Sequence, residues 1–155
     1  MSGPLARLAR AALRRVAPRA FLALCPRAGS DELGRAGEEL VARALHRAGA
    51  RIEARRLRTP WGELDLLARD ALGLLAVEVK TARLAPRPRP RGEPPVPLAA
   101  GRRPGARVDG RGRVRLERIA RGLAARRRVP VRAEVWEVLA GPGRATLAVR
   151  RVADA

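Results

Sequence analysis

The fold of this chain turns on the run Gly62-Glu63-Leu64-Asp65-Leu66-Leu67-Ala68-Arg69-Asp70-Ala71-Leu72-Gly73-Leu74-Leu75-Ala76-Val77-Glu78-Val79-Lys80. Its apolar residues alternate on either side of a turn at Arg69-Asp70, the signature of two adjacent strands. Period two puts Glu63 and Asp65 on one face of the first strand, with Leu64 and Leu66 on the other. In the second, Leu74, Ala76, Glu78 and Lys80 share a face, backed by Leu75, Val77 and Val79. Its continuous apolar character predicts a strand buried on both faces. Each strand therefore offers a carboxylate. Asp65, twelve residues, then Glu78-Val79-Lys80 is a sparse pattern suited to a divalent metal. Carboxylate oxygens match Mg²⁺ or Mn²⁺, and a lysine ammonium can orient or help deprotonate an attacking water. The competing reading is a solvated sheet edge that happens to carry a Glu and a Lys. Against it, Glu78 closes a strand of buried character, where an unpaired charge is costly.

Outward from this run the elements follow in order. Ile52 to Leu57 reads as a preceding strand, joined to Trp61 to Ala68 through a turn at Thr59-Pro60. Before it, Ser30 is placed to cap a helix with Asp31 and Glu32 in its first turn. Leu33, Leu40, Val41, Ala44, Leu45 and Ala48 form its apolar stripe, and Gly49 ends it. Glu38 lies along that stripe and points inward, whereas Glu39 faces away and pairs with Arg43 at i+4. An inward Glu38 is either a third acidic group of the same site or the partner of a buried arginine. Residues 84–113, with seven prolines, read as a mobile basic loop. Leu116, Ile119, Ala120 and Leu123 mark a second amphipathic helix. Val131 to Leu139 and Arg144 to Val152 are two last strands around Gly141-Pro142-Gly143. The chain is thus α/β: a mixed central sheet of about five strands flanked by helices, in one domain over residues 30–152.

Composition narrows the chemistry. Of 155 residues, 34 are basic and 15 acidic, a net charge of +19. All the basic residues but Lys80 are arginines. Coding bias accounts for Arg in place of Lys, but not for the excess charge, which favours a polyanion, nucleic acid before membrane. One Cys, Cys25, excludes an internal disulfide and fits a reducing, cytoplasmic compartment. One His, His46, leaves no Cys/His zinc site, and a serine triad would have to use Ser2 or Ser30. Few aromatics argue against a base-stacking platform, so contacts are expected to be directed at phosphates. Residues 1–29 carry six arginines and no acid. They read as a flexible basic extension, with an amphipathic helix up to Pro18, or as an organellar transit peptide. The apolar run Ala20 to Cys25 is too short for an integral membrane segment.

Leu33-Gly34-Arg35-Ala36-Gly37-Glu38, the GELDLLA block at 62–68 and Val77-Glu78-Val79-Lys80 together resemble the YraN-like bacterial family UPF0102. That family looks like a branch of the PD-(D/E)XK nuclease superfamily, similar to archaeal Holliday-junction resolvases. The resemblance implies a restriction-endonuclease-like fold and a metal-dependent endonuclease acting on DNA. In that reading Asp65, Glu78 and the Val79 carbonyl hold Mg²⁺ or Mn²⁺, Lys80 serves the water, and Glu38 completes the acidic cluster, with Glu63 accessory. Arg35, Arg58, Arg83, Arg111, Arg113 and Arg115 are the expected nucleic-acid contacts, and resolvase relatives imply a homodimer. The chain departs from the family pattern in places, with Ala82 and then Arg83 where an arginine is usual two places after the lysine. The alternative function is a non-catalytic nucleic-acid-binding module on the same fold; a membrane-anchoring role for residues 1–30 is a third reading.

Overall fold

A computed structural model describes residues 4–25, 28–83, 110–141 and 144–154, with side chains from Ala6 through Gly141. The periodicities above become helix α3 (Ser30–Arg47), strands β1 (Arg51–Thr59), β2 (Gly62–Asp70) and β3 (Gly73–Arg83), helix α4 (Gly110–Arg127), and strands β4 (Val131–Gly141) and β5 (Arg144–Asp154). The five strands lie in the order β1-β2-β3-β4-β5. Short turns make β1-β2-β3 an antiparallel meander, and β5 returns antiparallel beside β4. Only β3 and β4 are parallel, because α4 carries the chain across the sheet between them. The fold class read from the sequence therefore stands.

Each face of the sheet carries its own apolar cluster. Leu40, Val41 and Leu45 of α3 pack on Leu66, Ala68, Leu75 and Val77. Leu116, Ile119 and Leu123 of α4 pack on Leu64, Leu67, Leu74 and Val135. Close packing of α3 on β3 depends on Gly37, where a Cβ would overlap the Thr81 hydroxyl oxygen. That approach brings the neighbouring Glu38 close to the sheet.

Four expectations need correction. Residues 1–29 are not a loose extension across 4–25. The amphipathic helix expected up to Pro18 is there as α1 (Pro4–Val16), and beyond it α2 (Pro18–Leu24) buries Phe21 and Leu22 in the α3-side cluster. Pro18 fits the first turn of α2 because no helical N–H is lost there. The cap of α3 is Gly29 rather than Ser30, with the Glu32 carboxylate accepting the Gly29 N–H at 3.4 Å. Residues 110–113, assigned to the Pro-rich loop, are the first turn of α4; the rest of that loop lies outside the described residues. Strict alternation also fails in β2. Leu66 packs under α3 but Leu64 packs under α4. The change of face falls at Asp65, which lies opposite the left-handed Arg56 (φ 49°) and belongs to neither strand register.

Candidate active site

That irregularity builds the site. The β2–β3 ladder ends at Leu66↔Val77, whereas β3 stays paired with β4 as far as Arg83↔Ala140. Beyond Val77 the sheet forks, and Asp65 spans the gap by accepting the Val79 N–H at 2.7 Å through Oδ2. The carboxylate thus replaces a missing ladder acceptor. Glu78, only 5% exposed, stands next to it on β3. Its Oε1 accepts from Lys80 Nζ at 2.6 Å and from Arg115 Nη2 of α4 at 2.6 Å. Its Oε2 is buried and lacks a hydrogen-bond partner. Gly62, at φ 130°, leaves room for the Arg115 stem, since a Cβ there would sit 3.0 Å from Arg115 Cδ.

Electrostatics tie Glu38 to the same place. Burial, and secondly the charge of Glu78, raise the Asp65 pKa above the ordinary aspartate range. Glu38 is raised likewise, first by burial and then by the charge of Asp65. Three carboxylates therefore repel one another in sequence, Glu38 to Asp65 to Glu78, with Asp65 the common neighbour. They do not converge: among the described residues no three Asp, Glu, His or Cys side chains are grouped so as to hold a metal ion. The Asp65–Glu78 pair itself suits a hard cation. It offers oxygen donors only, and Glu78 Oε2 is an orphaned buried acceptor of the kind a ligating cation satisfies.

The remaining sequence-predicted residues divide. Glu63 is engaged by Arg56 at 3.1 Å in a half-exposed pair and does not join the carboxylates. Arg83, expected on nucleic acid, donates instead to the carbonyls of Leu22 (3.4 Å) and Cys25 (2.5 Å), which closes the end of α2. Arg35 pairs with Asp31 and Arg113 with Glu117, both across one helical turn. Arg58 is exposed, with no ion pair among the described residues. Arg111 and Arg115 line an α4-side cleft of about 570 Å³ together with Pro60, Trp61 and Arg118. Trp61 and Arg118 were not singled out by sequence reasoning. The available signal was an aromatic in the β1–β2 turn, which Thr59 fixes by donating its hydroxyl to the Gly62 carbonyl at 2.6 Å. Arg126 stacks over the Trp61 ring at 5.7 Å.

Among the described residues no helix is long and apolar enough to cross a membrane. Residues 37–138 match the uncharacterised protein family UPF0102. The chain belongs to that family. A UPF0102 protein of Symbiobacterium thermophilum is 38% identical over 119 residues, 73% of this chain and 86% of the relative. One from Cereibacter sphaeroides is 38% identical over 105 residues, 56% of this chain and 90% of the relative. A Nocardia farcinica relative is 59% identical over 51 residues, a match that spans 33% of this chain and 40% of the relative.

Proposed function

We propose that this protein is a metal-dependent endonuclease that hydrolyses phosphodiester bonds in DNA, as the likeness of its motifs to PD-(D/E)XK nucleases implies. The observation that carries the reading is the Asp65–Glu78–Lys80 group at the fork, inside a chain of net charge +19. Asp65, Glu78 and the Val79 carbonyl would hold Mg²⁺ or Mn²⁺. Such an ion supplies Lewis-acid polarisation of a phosphoryl oxygen and lowers the pKa of water. The chain's own residues do the rest. Lys80 holds a water by its ammonium, and the Val79 N–H fixes the Asp65 carboxylate. Arg115 places a permanent positive charge beside the phosphate, where guanidinium geometry suits it.

The test is a panel of single-strand, duplex, flap and four-way DNA substrates in Mg²⁺, Mn²⁺ or EDTA. Asp65→Ala and Lys80→Ala should each lower metal-dependent cleavage by about 100-fold or more, while binding in EDTA persists. Cleavage that survives both substitutions overturns the proposal.

One observation favours a second reading, a nucleic-acid-binding module without turnover. Lys80 and Arg115 already neutralise Glu78 through one oxygen, and the third carboxylate does not close on the pair. Its mark is salt-dependent binding, indifferent to metal, with no substrate nicked.

A further inference from the structure

We propose that α1, with α3 and β1, forms a groove that holds the phosphate backbone of a nucleic-acid strand and leads it to Glu38. The proposal rests on nucleic acid being the ligand, as above, but not on cleavage. Residues 4–24 precede the family match at 37–138, so this wall is an addition to the part of the chain that carries the motifs.

The wall is fixed in place. Arg10 pairs with Glu32 of α3 at 2.7 Å. Arg43 of α3 donates to the last carbonyls of α1, Val16 at 2.9 Å and Arg15 at 2.5 Å. Phe21 and Leu22, one short turn further on, are buried in the core. Between α1 and the α3–β1 surface lies a groove of about 820 Å³. Ala11, Ala12, Arg14 and Arg15 contribute from α1, with Arg35, Arg55 and Arg56 opposite and two carboxylates, Glu38 and Glu39, also in the lining.

The charges are not equivalent. Arg35, Arg55 and Arg56 already answer Asp31, Glu39 and Glu63. Arg14 and Arg15 make no side-chain ion pair among the described residues, so their charge is free for a ligand. Ala11 and Ala12 leave space for a backbone to approach between the two arginine rows. Leu8 (67% exposed) and Val16 (70% exposed) at the same groove give α1 some affinity for lipid as well. A bilayer, however, is flat and cannot follow a concave lining, whereas a single polyanionic strand can. Glu38, in the groove lining, is the point at which that strand comes within electrostatic reach of Asp65.

The experiment measures anisotropy of a fluorescein-labelled DNA strand with the full chain in EDTA, over a salt series. Arg14→Ala/Arg15→Ala should weaken binding about tenfold and flatten the salt slope by between one and two contacts' worth, each contact contributing about 0.7–0.9. Ala12→Glu, which keeps helix propensity and places an anion in the groove, should weaken it comparably. Arg47→Ala/Arg127→Ala removes the same charge at exposed sites outside the groove and should leave the slope unchanged. If the Arg14/Arg15 double variant matches this control, or Ala12→Glu binds as the unaltered chain does, the groove assignment falls. It also falls if the double variant stops floating with anionic vesicles while keeping its DNA affinity, which would make α1 a lipid contact. Should the variants lose binding while no substrate is ever cut, the groove stands and the nuclease reading alone fails.

Discussion

Strand β3 lives in two environments. From Leu74 to Val77 it has β2 on one side and β4 on the other; from Glu78 to Arg83 it has β4 alone. The first half is apolar and buried, with Leu74, Ala76 and Val77 fully enclosed. The second carries Glu78, Lys80, Thr81 and Arg83: Glu78 is held by Lys80 and by Arg115 of α4, Thr81 lies against Gly37 of α3, and Arg83 reaches the carbonyls at the end of α2. Where the ladder continues, β3 holds the fold. Where it stops, side chains take over: Asp65 accepts the Val79 N–H, and Glu78 is held by Lys80 and Arg115.

Substitutions along β3 test this contrast. Leu75→Ala, in the doubly paired half, should cost about 2–5 kcal/mol in urea unfolding, as a buried cavity does; a loss below about 1 kcal/mol would break the comparison. Arg83→Ala, at the far end, should cost less, about 1–3 kcal/mol for lost charged hydrogen bonds to two carbonyls. Its loss should appear locally, as faster amide exchange in residues 18–25 with the β2–β3 amides still protected.

Asp65→Asn should have the smallest effect and the opposite sign, a gain in stability at neutral pH. The folded pKa of Asp65 is raised, by burial and then by Glu78, so the native state favours the protonated form. Stability from that group is complete below the ordinary value of 3.8 and is lost as pH rises through the folded value. Asparagine keeps an acceptor for the Val79 N–H and does not ionise. Its advantage in thermal unfolding should therefore widen as pH rises above 3.8 and vanish in acid. A constant advantage across that range would show that Asp65 carries no electrostatic strain.

Much of this architecture was legible because short turns and apolar periods are local properties. The strands, both central helices and the Asp65–Glu78–Lys80 association follow from spacing alone. Alternation misplaced Leu64 relative to Leu66 because a left-handed Arg56 on the neighbouring strand is invisible to a period count. Charge counting misassigned Arg83 for a related reason: whether an arginine meets phosphate or a helix carbonyl depends on what packs beside it. The helix up to Pro18 was legible, but residues 18–24 were misread as loose because α2 has only seven residues and owes its order to burying Phe21 and Leu22, a tertiary effect. Glu38 was correctly placed on the inner face, but its failure to close on the other two carboxylates is a matter of distance, which sequence does not encode.

The one parallel pairing also bears on how the molecule is assembled and how its length can change. Asp65 and Glu78 meet within a meander whose turns are short, so the two carboxylates become neighbours by local search. Leu74 must find Val131 across residues 84–109 and the whole of α4, the slowest kind of contact to form. Yet bringing two chain positions together costs only about 0.6 kcal/mol more for each doubling of the number of residues between them. The interval between β3 and α4 can therefore grow or shrink with little thermodynamic penalty, leaving the acidic pair untouched. What it alters is the delivery of Arg115, the one member of the site that arrives from the far side of that gap.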